Sequence, residues 1–122
     1  MKYLSTILET NGIDEQHREA ATASYLAAKE RMRQLPVKFS DDAEMMLSNH
    51  LMALIKRISE NKFIDPIEEE MMGELSDKAW EYAGQVADPL FAEAGIGPDR
   101  SEVFLVGTHM EMALAAMAAE VQ

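Results

Sequence analysis

Apolar residues recur every three to four positions along almost the whole chain, and no stretch keeps the two-residue alternation of a strand for long. Each such segment has one apolar helical face that must be covered by another helix, which leaves an all-α architecture as the natural solution. The breakers divide the pattern. A short helix is expected over Tyr3 to Glu9, stopped by Asn11-Gly12. Asp14 is an N-cap for an Ala-rich helix carrying Tyr25, Ala28 and Met32 and running to about Gln34, before Pro36. Ser40-Asp41-Asp42 opens a third segment with Leu47, Leu51, Leu54, Ile55 and Ile58 on its apolar face. Asp65-Pro66 reads as a further helix start, leading into Met71, Met72 and Leu75, with a stop or bend at Gly73. From Ser76 to Ala94 the pattern holds Trp80, Ala83, Ala87, Leu90 and Phe91, with a kink expected at Pro89. Gly95-Ile96-Gly97-Pro98 breaks it, and a last helix starts near Asp99 to Ser101. The expectation is a compact bundle of about five helices, with residues 1–13 as an N-terminal extension and residues 14–122 as one helical domain.

Charge narrows what such a bundle can bind. With 11 Lys and Arg against 22 Asp and Glu the net charge is −11. Nucleic-acid affinity rests on cations neutralising phosphates, so direct binding to DNA or RNA is disfavoured, as is docking on anionic membranes. No apolar run approaches the ~18 residues of a membrane span, and the start, Met1 to Leu8, is too short and polar for a signal peptide. The absence of cysteine excludes disulfides, a thiol nucleophile and Cys-ligated zinc, and fits the cytoplasm.

Three histidines occur. His17 lies in a polar helix start beside Gln16 and Arg18 and reads as solvated surface. His50 has Met46 and Leu47 one turn before it and Leu54 one turn after. His109 has Leu105, Val106, Met112 and Ala113 in the corresponding places. Both imidazoles therefore sit on, or at the edge of, a packed face. Either each is a hydrogen-bonded structural histidine, or the two share a site. Arg57 falls two turns after His50 and Glu102 two turns before His109. Charges so close to apolar stripes either form a partly buried ion pair or reach solvent at the ends of the bundle.

Enzyme chemistry finds little purchase. There is no Glu-x-x-His, no His-Glu-x-x-His, no Gly-x-Ser-x-Gly elbow, and Gly95-x-Gly97 lacks a third glycine. Neither a metal site nor a cofactor is expected.

The segment Leu47-Ser48-Asn49-His50-Leu51-Met52-Ala53-Leu54-Ile55-Lys56-Arg57 resembles the first signature of the phosphotransferase-system regulation domain, PRD: small polar residues, His, then an apolar stripe ending in Arg. Pro98-Asp99-Arg100-Ser101-Glu102-Val103-Phe104-Leu105-Val106-Gly107-Thr108-His109-Met110 resembles the second: an acidic cap, Glu-Val, an apolar run and a second His. The likeness covers roughly Asp14 to Ala115. It implies an all-α, usually dimeric domain of transcription antiterminators and activators. His50 and His109 would be positions of reversible phosphorylation by the histidine phosphocarrier or a sugar-specific transporter component, with Arg57 and Glu102 as the signature charges. Asn49 departs from the acidic residue that often precedes the first His. Family regulators usually carry two such domains and a nucleic-acid-binding module. Here one domain and no basic segment imply action in trans on a partner.

The chemistry suits that role. A neutral imidazole is nucleophilic near physiological pH, and a phosphoryl group adds about −1.5 to −2 charges where an uncharged ring stood. Placed where helices pack, such a change can bias dimer packing. The alternative is a plain interaction or dimerisation module that keeps the fold without phosphorylation.

Overall fold

Short polar side chains start most of the helices. In the computed structural model, which describes Leu4–Glu120, Asp14 accepts from the His17 amide, Ser40 from Ala43, Ser76 from Ala79 and Asp99 from Glu102, each satisfying an amide that the first turn leaves without a partner. The elements are α1 (Leu4–Thr10), a 3-10 turn (Glu15–His17), α2 (Arg18–Arg33), α3 (Asp41–Glu60), α4 (Glu69–Met72), α5 (Asp77–Glu93) and α6 (Arg100–Glu120). No strand occurs among the described residues, and all helices except α4 are substantial, so the architecture is the all-α bundle expected. Tyr3 lies outside the described residues.

The helix ends have equally local causes. Asn61 adopts the left-handed conformation (φ 53°), and the amide of Lys62 returns to the carbonyl of Arg57. Gly95 does the same after α5 (φ 75°), with the Ile96 amide bonded to the Phe91 carbonyl.

One segment differs from the sequence pattern. Asp65-Pro66 does not start a helix; the chain stays irregular until Glu69. Its amides are held elsewhere: Ile64 donates to the Glu102 carboxylate (3.4 Å) and Ile67 to the Ser101 hydroxyl (2.9 Å), so this stretch is tied to the start of α6. Pro89 lies inside one continuous helix, Asp77–Glu93. Arg31 of α2 donates from Nε and Nη2 to the carbonyl of Val86 (3.2 and 3.1 Å), next to the Gln85 carbonyl that the proline leaves without its helical donor.

At the centre, α3 touches α1, α2, α5 and α6, burying Leu47, Leu51, Met52 and Leu54 completely. The N-terminal segment shares this core: Ile7, Leu8 and Ile13 are buried, and Asn11 donates to Asn49 Oδ1 (3.0 Å). Helices α5 and α6 make the most extensive contact. Just before α5, Leu75 lies over Gly107 of α6, where a Cβ would stand 2.4 Å from Leu75 Cδ2. Among the described helices α6 has the length and mean hydropathy (1.2) of a membrane span. Packing takes up part of its apolar surface, since Val103, Val106, Met110 and Ala113 are buried in the bundle beside Glu102.

Candidate functional site

Helices α3 and α6 run antiparallel, so residues two turns apart on one meet residues two turns apart on the other. His50 faces His109, with ring centroids 5.3 Å apart and planes inclined at 42°. Two turns along, Arg57 grips Glu102 with two hydrogen bonds, Nε to Oε2 (2.6 Å) and Nη2 to Oε1 (2.8 Å). The Glu102 side chain has no exposed surface, while that of Arg57 keeps 25%. This clasp fixes the register that brings the imidazoles together.

Both histidines lie on a seam between core and solvent. On the inner side stand Leu47 and Leu54 around His50, and Val106 and Ala113 around His109, all buried. On the outer side Met46 and Met112 are exposed at 54% and 63%. His50 Nε2 is fully buried and has no hydrogen-bond partner, unlike every other buried side-chain nitrogen or oxygen among the described residues. Burial, with His109 and Arg57 close by, pushes the His50 imidazole down to about 4. Burial also lowers His109 from its ordinary value. Near neutral pH His50 is uncharged and the neutral form of His109 is favoured, leaving a ring nitrogen with a free lone pair.

His17 is elsewhere. It is exposed, and its Nδ1 lies 2.6 Å from Asp14, whose carboxyl that contact holds below the usual carboxylate range. Among the described residues no group of three or more His, Asp and Glu is placed to hold a metal. Clefts of about 200 and 590 Å³ open by Ile55 and Leu90 and by Trp80 and Arg100, and neither histidine of the pair lines them. The pair thus sits on a seam between two helices, outside both clefts.

One group near the site was missed by the sequence reading. Lys29 of α2 is buried, and its Nζ donates to Glu44 Oε1 (2.6 Å) and Ser48 Oγ (2.9 Å), two residues before His50. A signal was present, because Tyr25, Ala28 and Met32 put Lys29 on the apolar face of its helix. Asn49, standing where an acidic residue is common, is held by Asn11.

A family model, the PRD domain, matches residues 27–113. The chain belongs to the PRD family. The fold agrees with that assignment. A crystal structure of a PRD-containing transcription regulator from Lactobacillus casei ATCC 334 is similar over 91% of this chain and 94% of that one, with a TM-score of 0.67 and 20% sequence identity. No curated protein matches the chain. The family match contains both histidines and both members of the Arg57–Glu102 clasp, whereas His17 falls outside it. A PRD is a domain of regulatory proteins.

Proposed function

We propose that this chain is a phosphorylation-responsive regulatory domain of the bacterial sugar phosphotransferase system, acting in the cytoplasm. It accepts a phosphoryl group on histidine, foremost His109, and controls transcription or antitermination through a partner protein. The observation that carries this reading is the 5.3 Å approach of two imidazoles at a helix–helix seam. Rings with a purely structural task would be tied down by hydrogen bonds, and His50 Nε2 has none.

In the transfer step the unprotonated nitrogen of His109 attacks the phosphorus of the donor's phosphohistidine. A new N–P bond forms as the donor's N–P bond breaks, and the bonding pair returns to the donor imidazole. The donor is the histidine phosphocarrier or a sugar transporter component, and exposed Met46 and Met112 give it an apolar rim to dock on. Arg57, whose Nη1 stands outside the pair with Glu102, is the nearby cation for the incoming charge. The group adds about −1.5 to −2 charges between α3 and α6, enough to alter how those helices pack and how the domain meets a second copy of itself or a regulator in trans.

Incubation with phosphoenolpyruvate, the general phosphotransferase enzyme and the phosphocarrier tests the proposal. An acid-labile, alkali-stable adduct is expected. A folded protein that takes no phosphoryl group from the phosphocarrier or any cognate transporter component would instead be a dimerisation or interaction module that keeps the PRD fold.

A further inference from the structure

We infer that His50 is the hydrogen-bond donor for the phosphoryl group on His109, a positioning residue instead of a second acceptor. The inference rests on the acceptor reading of His109. Three observations carry it. His50 Nε2 is buried without a partner, a costly condition that a native protein keeps where a partner arrives later. The ring of His109 is the neighbouring imidazole, 5.3 Å from the His50 ring between centroids. A phosphoryl group on His109 places acceptor oxygens beside a neighbouring ring with a nitrogen to offer.

The surrounding charges offer His50 no carboxylate, and Arg57 and His109 both favour its neutral form. On α6, Glu102 is closed in its pair with Arg57, and on the α2 side Lys29 is closed on Glu44 and Ser48. The core faces of α1 and α5 present apolar residues such as Ile7, Leu8, Val86 and Leu90. With no free carboxylate facing it, the His50 imidazole is neutral in the free protein. When the phosphoryl group settles on His109, its negative charge favours the imidazolium form. His50 takes that proton from solvent, and its Nε2–H then donates to a phosphoryl oxygen. A His50 engaged in this way has its ring turned to the first phosphoryl group, and a second dianion beside the first would be repelled, so the site holds one.

Proton NMR of the His50 C2–H through a pH titration, with and without phosphorylation, reads this directly. The expected midpoint moves up by roughly 1–3 pH units once His109 is phosphorylated. Intact mass at exhaustive phosphorylation should show a single phosphoryl group. His50→Gln keeps a side-chain N–H and should preserve the transfer equilibrium with the phosphocarrier. His50→Leu, which fills the space without a donor, should shift that equilibrium roughly tenfold against the adduct. An unmoved midpoint, a second phosphoryl group on His50, or equal behaviour of the two variants would overturn the inference while leaving His109 as acceptor. Should His50→Leu fail to fold, the wild-type titration and mass decide alone. A folded wild type that forms no adduct removes the acceptor reading, and this inference with it.

Discussion

Arg57 and Glu102 form the anchor that places His50 against His109: a two-pronged ion pair between antiparallel helices, two turns from the imidazoles, with the carboxylate wholly buried. The same carboxylate accepts from the Ile64 amide, so it also ties down the chain between α3 and α4. Arg57→Ala strands a buried negative charge and should cost about 3–5 kcal/mol in a urea denaturation experiment. Arg33→Ala removes an exposed pair with Glu30 and should cost at most about 1 kcal/mol. Arg57→Ala is also expected to weaken phosphorylation without changing which atom is labelled.

Acid should destabilise the fold through the buried histidine. An imidazole held at about 4 in the folded chain, against its ordinary 6.5, binds fewer protons folded than unfolded. Its neutral form is unpenalised above about pH 6.5, and stability is lost as pH falls from there toward 4, by on the order of 3 kcal/mol in all. His109 is lowered too and adds with the same sign. Denaturation midpoints measured between pH 7 and 5 should fall for the wild type and much less for His50→Gln.

Gly107 tests how closely α6 must approach Leu75, in the turn just before α5. In an open helix Gly→Ala would stabilise by about 1 kcal/mol. Here the added methyl meets Leu75 Cδ2, so Gly107→Ala should instead destabilise by about 1–3 kcal/mol. Leu75→Ala in the same chain should recover part of that loss, and the double-mutant cycle measures the coupling.

Much of the fold is legible in the sequence because its causes are local. Ser40, Ser76, Asp14 and Asp99 cap helices within three residues of themselves, and Gly95 ends one by its own backbone geometry. The stretch at Asp65-Pro66 misleads for the opposite reason: its amides are bonded to Ser101 and Glu102, more than thirty residues away. The site divides the same way. Spacing puts each histidine on the edge of an apolar face, but periodicity within one helix carries no distance to another. What joins them is the register of α3 against α6, and the residues that set it, Arg57 and Glu102, stand out as charges beside apolar stripes. Lys29 shares its helical face with Tyr25, Ala28 and Met32, but its partners Glu44 and Ser48 lie on another helix, which spacing within α2 does not reveal.

The account also predicts self-association. Leu26, Met46, Met71 and Met112 are exposed apolar side chains on a chain of net charge −11. Light scattering at micromolar concentration should give twice the 13.6 kDa chain mass. Added salt should strengthen the dimer by screening like charges across an apolar contact. A mass of one chain at every salt concentration would count against it.

The most direct test of the central claim is to map the phosphoryl group after transfer from the phosphocarrier, by mass spectrometry under alkaline conditions. The predicted result is label on His109 in the wild type, full labelling of His17→Ala, and none at that position in a folded His109→Ala. Label on His17, or a wild-type protein that stays folded and unlabelled with every phosphotransferase donor offered, would contradict the account.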